Sequence, residues 1–316
     1  MNSTGGLQVL TRDTFTTAFA KNFILVGVWL SLSYINASLV AIFFSHQSFY
    51  EDPRYILFIH MVINDAVQLT VTISLFVMSY IYYKINVSVC SVFILVAVFT
   101  TRNTPVNLAG MAVERYIAVC DPLRYAQICT VKRTYYFIGL IWLFSVVPDI
   151  TDLFVTLAAE PLSFFYTSVF CMRQNVFKDR VLLQKRQAFD AIYFSLVFLT
   201  LIYTYVRVLF AAKAMSTEKT SAQRARRTIF LHGAQLLMCM LSYISPSLEV
   251  VLSIIFPGQI LEMRYVNYLI VYILPRFLSP IIYGVRDKKF RKYLKRYFVI
   301  TNYKAKRRVD SQEEGN

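Results

Sequence analysis

Glu114, Arg115 and Tyr116 stand together near the end of an apolar, helix-length segment, within the run Met111-Ala112-Val113-Glu114-Arg115-Tyr116-Ile117-Ala118-Val119-Cys120-Asp121-Pro122-Leu123-Arg124-Tyr125. An arginine beside an acid at the edge of hydrocarbon is a switchable group: the carboxylate holds it in one state and a partner takes it in another. Cys90 lies 25 residues before Arg115, about 37 Å of helix at 1.5 Å per residue and close to one membrane thickness. The two marks fix opposite ends of one span. Asp65, Arg102, Asp149, Asp152 and Arg276 also interrupt apolar stretches. Each costs about 2.5 to 3.5 kcal/mol at the centre of a membrane helix and therefore asks for a partner or a task.

The elements that must position these charges are membrane helices. Of 316 residues 57% are hydrophobic and the mean hydropathy is positive, which soluble domains of this size rarely reach. Seven apolar stretches are long enough to span: Phe23 to Phe44, Tyr55 to Tyr83, Val89 to Val113, Tyr135 to Ala158, Ala188 to Ala212, Thr228 to Phe256 and Tyr265 to Val285. With the amino terminus outside, the inner segments hold twenty lysines and arginines and the outer segments nine, so the positive-inside rule places the amino terminus outside. No cleavable signal precedes Phe23, and the first span is expected to act as its own anchor.

The fold expected is an all-α membrane protein, a seven-transmembrane helix bundle. Residues 1–22 form an extracellular segment, 23–285 the bundle, 286–300 a short amphipathic helix on the inner leaflet, and 301–316 a disordered cytoplasmic tail. In the amphipathic segment Phe290, Leu294 and Tyr297 recur at i, i+4 and i+7 among Lys288, Lys289, Arg291 and Lys292, the pattern of a helix lying flat on lipid. An outer segment of 22 residues is too short to fold into a ligand-capturing module, so a ligand must enter the helices themselves and be small.

The Glu114 to Tyr125 run resembles the inner end of the third helix of rhodopsin-like G-protein-coupled receptors, and its Ala118 to Tyr125 part resembles the odorant-receptor branch, of fish type. The run Leu274-Pro275-Arg276-Phe277-Leu278-Ser279-Pro280-Ile281-Ile282-Tyr283 is similar to the family's Asn-Pro-x-x-Tyr motif, with Ser279 in place of Asn. The resemblance implies a switch in which Glu114 holds Arg115 at rest, Tyr116 completes the triplet, and Tyr283 swings inward beside the kink at Pro280. A charged helix end that snorkels, and a proline that only kinks, are the plainer readings of the same residues.

It further implies a core polar group of Asn36, Asp65, Arg276, Ser279 and Pro280. Arg276 departs from the family pattern, and an ion pair between Arg276 and Asp65, in place of the sodium ion that Asp commonly holds there, is the expected arrangement. Cys90 and Cys171 both face the oxidising side, and the family ties that loop to that helix, so one disulfide is expected against the alternative of two free thiols. The sequons at Asn2 and Asn86 fall on outer segments and are expected to carry glycans, Asn2 being the better placed.

Ala97, Val98, Thr101 and Arg102 form the span-three face of the cavity, with Asp149 and Tyr243 also assigned to the ligand site. Arg102 either pairs with Asp149 or reads an acceptor on the ligand; Asp190 and Glu249 are read as rim residues. Ala97 stands where amine receptors of the family carry Asp, and span seven lacks the lysine that opsins use, so neither an amine nor retinal is expected. The resemblance implies an odorant receptor of the plasma membrane, with a small-molecule odorant, a stimulatory heterotrimeric G protein and the lipid bilayer as partners. The alternatives are a non-olfactory receptor for a lipid or short peptide, or, in a different class, a small-solute transporter.

Enzyme chemistry finds no footing. The three histidines, His46, His60 and His232, are scattered, metal-ligand spacings are absent, and no glycine loop cradles phosphate. Neither metal nor cofactor is expected. The net charge of +15 belongs to inner loops and tail facing anionic headgroups, and nucleic acid is not an expected partner.

Overall fold

The computed structural model describes residues 14–215, 245, 251–252, 255–256, 260–278, 289–294 and 296. Asn2, Tyr243, Glu249, Ser279, Pro280, Tyr283, His232, most of the sixth apolar stretch and the tail from 301 lie outside the described residues. Among the described residues, five helices are long and apolar enough to cross a membrane: α1 (Phe15–Ser45), α2 (Pro53–Tyr82), α3 (Val87–Cys120), α5 (Val131–Ala159) and α8 (Arg180–Met215), the last being apolar over Arg180–Ala211. The short α4 (Pro122–Ile128) comes after α3, and α6 (Leu162–Phe165) and α7 (Arg173–Val176) lie between α5 and α8. The helix α9 (Ile260–Asn267) runs into a wide π turn, Tyr268–Ile273, and the apolar helix continues to Leu278.

Helix starts are written locally. Asp52 accepts from the Arg54 amide at 3.0 Å with Pro53 in the first turn of α2, Asn86 accepts from the Ser88 amide at 2.9 Å to open α3, and Thr130 caps α5 through the Arg133 amide at 3.3 Å. Each cap satisfies a backbone donor that has no partner inside its helix. The end of α3 is set by Asp121 and Pro122, because proline lacks the N–H that would continue the ladder, while it suits the first turn of α4.

Burial follows lipid rather than water. Large apolar side chains lie exposed on α1 (Phe15, Phe19, Phe23), α5 (Leu143, Phe144, Phe154) and α8 (Leu196, Leu199, Phe210), whereas Asn64, Asn103 and Asn107 are buried. The apolar window of α2 is 61% buried and that of α3 44%, against 22% for α5 and α8, so α2 and α3 form the middle of the bundle and bring their polar side chains to its axis. At one end Phe49, Tyr55, Phe58, Met61, Leu108 and Met111 pack around Phe290, which lies in a helical stretch over 289–294. At the other end β1 (Ile85–Asn86) pairs antiparallel with β2 (Ser168–Val169), and the Cys90–Cys171 disulfide closes across 5.6 Å between Cα atoms.

Several boundaries differ from the sequence reading: α3 runs on to Cys120, seven residues past Val113, and α5 starts at Val131, four before Tyr135. Helix α1 begins at Phe15, so the segment assigned to 1–22 is partly helical, and α8 begins at Arg180, eight residues before the expected Ala188. Hydropathy marks only the part of a helix that sits in hydrocarbon; the polar extensions have partners of their own. Lys21 pairs with Glu262 at 2.7 Å and stands over the Tyr265 ring.

Helices α3 and α5 approach closely at Gly110, where an added Cβ would fall 2.3 Å from the Phe137 ring. Gly110→Ala is expected to displace that ring and cost about 1 to 3 kcal/mol, as overpacking does. Gly27→Ala, with nothing within 4 Å, should leave stability unchanged or raised. Thermal unfolding of the purified variants in one detergent checks the contrast.

Candidate functional site

The disulfide end of the bundle holds a cluster of charges around Arg102, which is only 2% exposed. Its Nη1 lies 2.8 Å from Asp149 Oδ1 on α5, and its Nε and Nη2 lie 3.2 Å from Asp190 Oδ1 on α8. Arg173 of α7 joins from above, 3.2 Å from Asp149 Oδ1 and 2.7 Å from Asp152 Oδ2. Lys185 takes the other Asp152 oxygen and donates to the Pro148 carbonyl at 3.0 Å. The Tyr193 hydroxyl donates to the Arg102 carbonyl, and the guanidinium stands 5.3 Å from the Phe189 ring centroid. One buried arginine thus ties α3, α5 and α8 together.

Asp190 is therefore an anchor of Arg102 and not the rim residue expected. Its position ten residues into a helix that starts at Arg180 explains this, because the early start carries it below the mouth. Among the other span-three residues assigned to a ligand, Ala97 and Val98 are partly buried, and Thr101 accepts from Gln68 Nε2 at 2.5 Å.

A polar network crosses the middle. Asn64, Asp65 and Gln68 on α2 face Asn103, Thr104 and Asn107 on α3, each set at positions i, i+1 and i+4, which share a helix face. Asn64 donates to the Thr100 carbonyl at 2.9 Å and to Thr104 at 3.1 Å, Asn103 donates to Asn64 at 3.1 Å, and Thr104 donates to Asp65 Oδ1 at 3.1 Å. Asn107 forms a separate run, donating to the Leu57 carbonyl at 2.9 Å and pairing with His60 Nδ1 (3.2 Å), whose Nε2 accepts from the Trp142 indole at 2.8 Å; an imidazole with one donor and one acceptor nitrogen is neutral. Asn36 is buried as well. The paired stripes of amide and hydroxyl residues were readable in two apolar stretches, yet only Asp65 drew attention, because charge is conspicuous there and amides are not.

The expected Arg276–Asp65 ion pair is not formed. Arg276 donates to Gln68 Oε1 at 2.7 Å and to the Tyr272 carbonyl at 2.6 Å. On α2 the step of three residues from Asp65 to Gln68 runs about 4.5 Å toward the disulfide end, and Arg276 meets the helix at the level of Gln68. The π turn just before Arg276 adds a residue to the helix and re-aims the side chains beyond it.

At the arginine end Glu114 accepts from the Tyr125 hydroxyl at 2.8 Å. Among the described residues no carboxylate lies within 4 Å of Arg115, so the expected Glu114–Arg115 pair is replaced by one between Glu114 and Tyr125 of α4. Burial, and after it the charge and hydrogen bond of Glu114, raises the Tyr125 phenol above its ordinary range and keeps its proton on the donor. The Tyr116 ring lies 5.8 Å from Tyr203 on α8. The side chain of Asn86 caps α3 and donates to the Tyr166 carbonyl at 3.3 Å, so this sequon is also a structural joint.

The Gln68 acceptor leads to a direct test. Gln68→Leu strips a buried guanidinium of a neutral partner and should cost about 3 kcal/mol, whereas Asp65→Asn should cost less. Thermal midpoints of the two purified variants, compared with the wild type, read the difference.

Residues 35–283 match the 7 transmembrane receptor (rhodopsin family) model. Odorant receptor 131-2 of Danio rerio is 31% identical over 285 residues, covering 90% of this chain and 86% of that protein. Olfactory receptor 9A2 of Homo sapiens is 26% identical over 205 residues, 60% of this chain and 61% of that protein. The octopamine receptor of Bombyx mori matches over 62 residues only, at 32% identity, 20% of this chain and 13% of that protein.

Proposed function

The chain belongs to the rhodopsin family of seven-transmembrane receptors, multi-pass membrane proteins that carry no enzymatic chemistry, and from that premise we propose that it is an odorant receptor. In this reading a small odorant binds within the helix bundle, and the receptor activates a stimulatory, olfactory-type heterotrimeric G protein that raises cyclic AMP. The protein sits in the plasma membrane of sensory neurons with its amino terminus outside. The observation that carries the proposal is likeness to a fish protein named as an odorant receptor over nine-tenths of this chain.

The mechanism is a shift between two populations. A ligand that binds one helix arrangement better than another moves the equilibrium by its difference in affinity. The disulfide-end cluster supplies a point where such a difference acts on three helices at once, since α3, α5 and α8 all hold Arg102 or its carboxylates. At the other end of the same α3, Arg115 is presented to the G protein. The Glu114–Tyr125 bond favours that presentation by occupying the carboxylate that would otherwise hold Arg115.

Cyclic AMP in cells expressing the chain with an olfactory stimulatory G protein, under a mixed odorant panel, tests the reading. Arg115→Ala at equal surface expression is expected to abolish the response. Tyr125→Phe frees Glu114 for Arg115 and is expected to lower basal cyclic AMP while sparing surface expression. A silent, well-expressed wild type across the panel would count against the odorant assignment, and an undiminished response from Arg115→Ala would count against the switch.

A further inference from the structure

The geometry points to an anion-binding site at the disulfide end, where a small organic carboxylate docks its head on Arg186 and Arg173 with its apolar body against Phe177, Leu182 and Leu183. This names the ligand class of the receptor reading and rests on it. The site is a cleft of about 100 Å³ between α7 and the start of α8. Its lining carries four cations, Arg173, Lys178, Arg180 and Arg186, and two carboxylates, Asp152 and Asp179.

Charge accounting decides the sign of the ligand. Both oxygens of Asp152 are taken, by Arg173 at 2.7 Å and by Lys185. Asp179 accepts from the Val181 amide at 2.8 Å. Deeper in the bundle, Asp149 is held by Arg102 and Arg173, and Asp190 by Arg102. Among these carboxylates only Asp179 is left outside an ion pair with a described residue, against four cations in the lining, so the cleft as a whole favours an anion. Arg186 is partly buried, and among the described residues it has no carboxylate within 4 Å. A guanidinium held away from bulk water and facing a cleft with surplus positive charge is a receptor for an oxyanion, which it engages through paired N–H donors.

The surroundings favour an organic anion over an inorganic one. Phe177 is buried in the apolar group that includes Val176, Leu182 and Phe164, and the Arg173 guanidinium lies 5.8 Å from the Phe177 ring. A head on the guanidinium places an alkyl or aryl tail along this wall, where removing apolar surface from water adds to the charge contact. Arg173 contacts both carboxylates of α5, so an anion that draws on Arg173 weakens its hold on Asp149 and thereby reaches Arg102.

The experiment uses the full-length purified receptor and linear carboxylates from butanoate to octanoate, each beside its methyl ester and its primary amine. Carboxylates are expected to raise the thermal midpoint, and esters and amines are not. Arg186→Gln should weaken the carboxylate effect by about tenfold or more in concentration, the value of one charge-assisted contact, while Arg186→Lys, which keeps the charge and loses the paired donors, falls between the two. Equal stabilisation by esters or amines, no stabilisation by any carboxylate, or an unchanged carboxylate response in a folded Arg186→Gln would overturn the site. Cyclic AMP in cells separates this from the receptor reading. Carboxylate stabilisation that depends on Arg186 without cyclic AMP leaves the site standing and removes the coupling, whereas cyclic AMP driven only by neutral odorants does the reverse.

Discussion

A charge in hydrocarbon must be compensated, and Arg102 is the place where this protein meets that demand most fully. Its guanidinium sits at the crossing of α3, α5 and α8 with a carboxylate from each of the latter two. Pairing of this kind offsets a desolvation cost of several kcal/mol per ion and need not stabilise the fold beyond an apolar equivalent. What it does impose is geometry. The three helices can slide only so far before a buried charge loses its partner, and that makes the cluster a register mark for the disulfide end. The strand pair of Ile85–Asn86 with Ser168–Val169 and the Cys90–Cys171 bridge hold the connecting segment over the same point, which lets Arg173 and Lys185 complete the carboxylates from above.

Much of the architecture was legible because membrane helices advertise themselves. Spans one to five, the disulfide and the charged positions that need partners came from hydropathy, sidedness and family resemblance. The errors share a physical origin. Helices outrun their apolar stretches, so Lys21 proved to be a helical residue paired with Glu262, and Asp190 proved to lie deep enough to bind Arg102. Sequence also favours charge over dipole. Asp65 was assigned to Arg276, yet an amide three residues away took the guanidinium, and Glu114 was assigned to its neighbour Arg115, yet a tyrosine eleven residues on took the carboxylate. Side chains of adjacent helical residues point about 100° apart, whereas Tyr125 of α4, after the turn at Asp121 and Pro122, meets the acid directly.

In the proposed receptor mechanism the two ends of α3 act as one device. At the disulfide end the helix carries Arg102 in a cluster of three cations and three carboxylates; at the other it carries Arg115 beside an acid already engaged. Between them the amide and hydroxyl stripe of α2 and α3 offers alternative partners at each level, the kind of packed polar seam that has discrete arrangements rather than continuous ones. In the proposed receptor mechanism, a ligand that redistributes pairs at the first end acts on a helix whose other end is the signalling group.

The dependence of this arrangement on the Arg102 cluster is measured most directly by a double-mutant cycle on Arg102 and Asp149. Thermal unfolding would be recorded for wild type, Arg102→Met, Asp149→Leu and the double variant at matched detergent and salt. The pairing predicts that each single change is destabilising, because it leaves Arg102 with Asp190 alone or Asp149 with Arg173 alone, and that the double variant loses less than the sum of the two. Additive losses would mean that the two groups do not act on one another, and the account of Arg102 as the register mark of the bundle would be wrong.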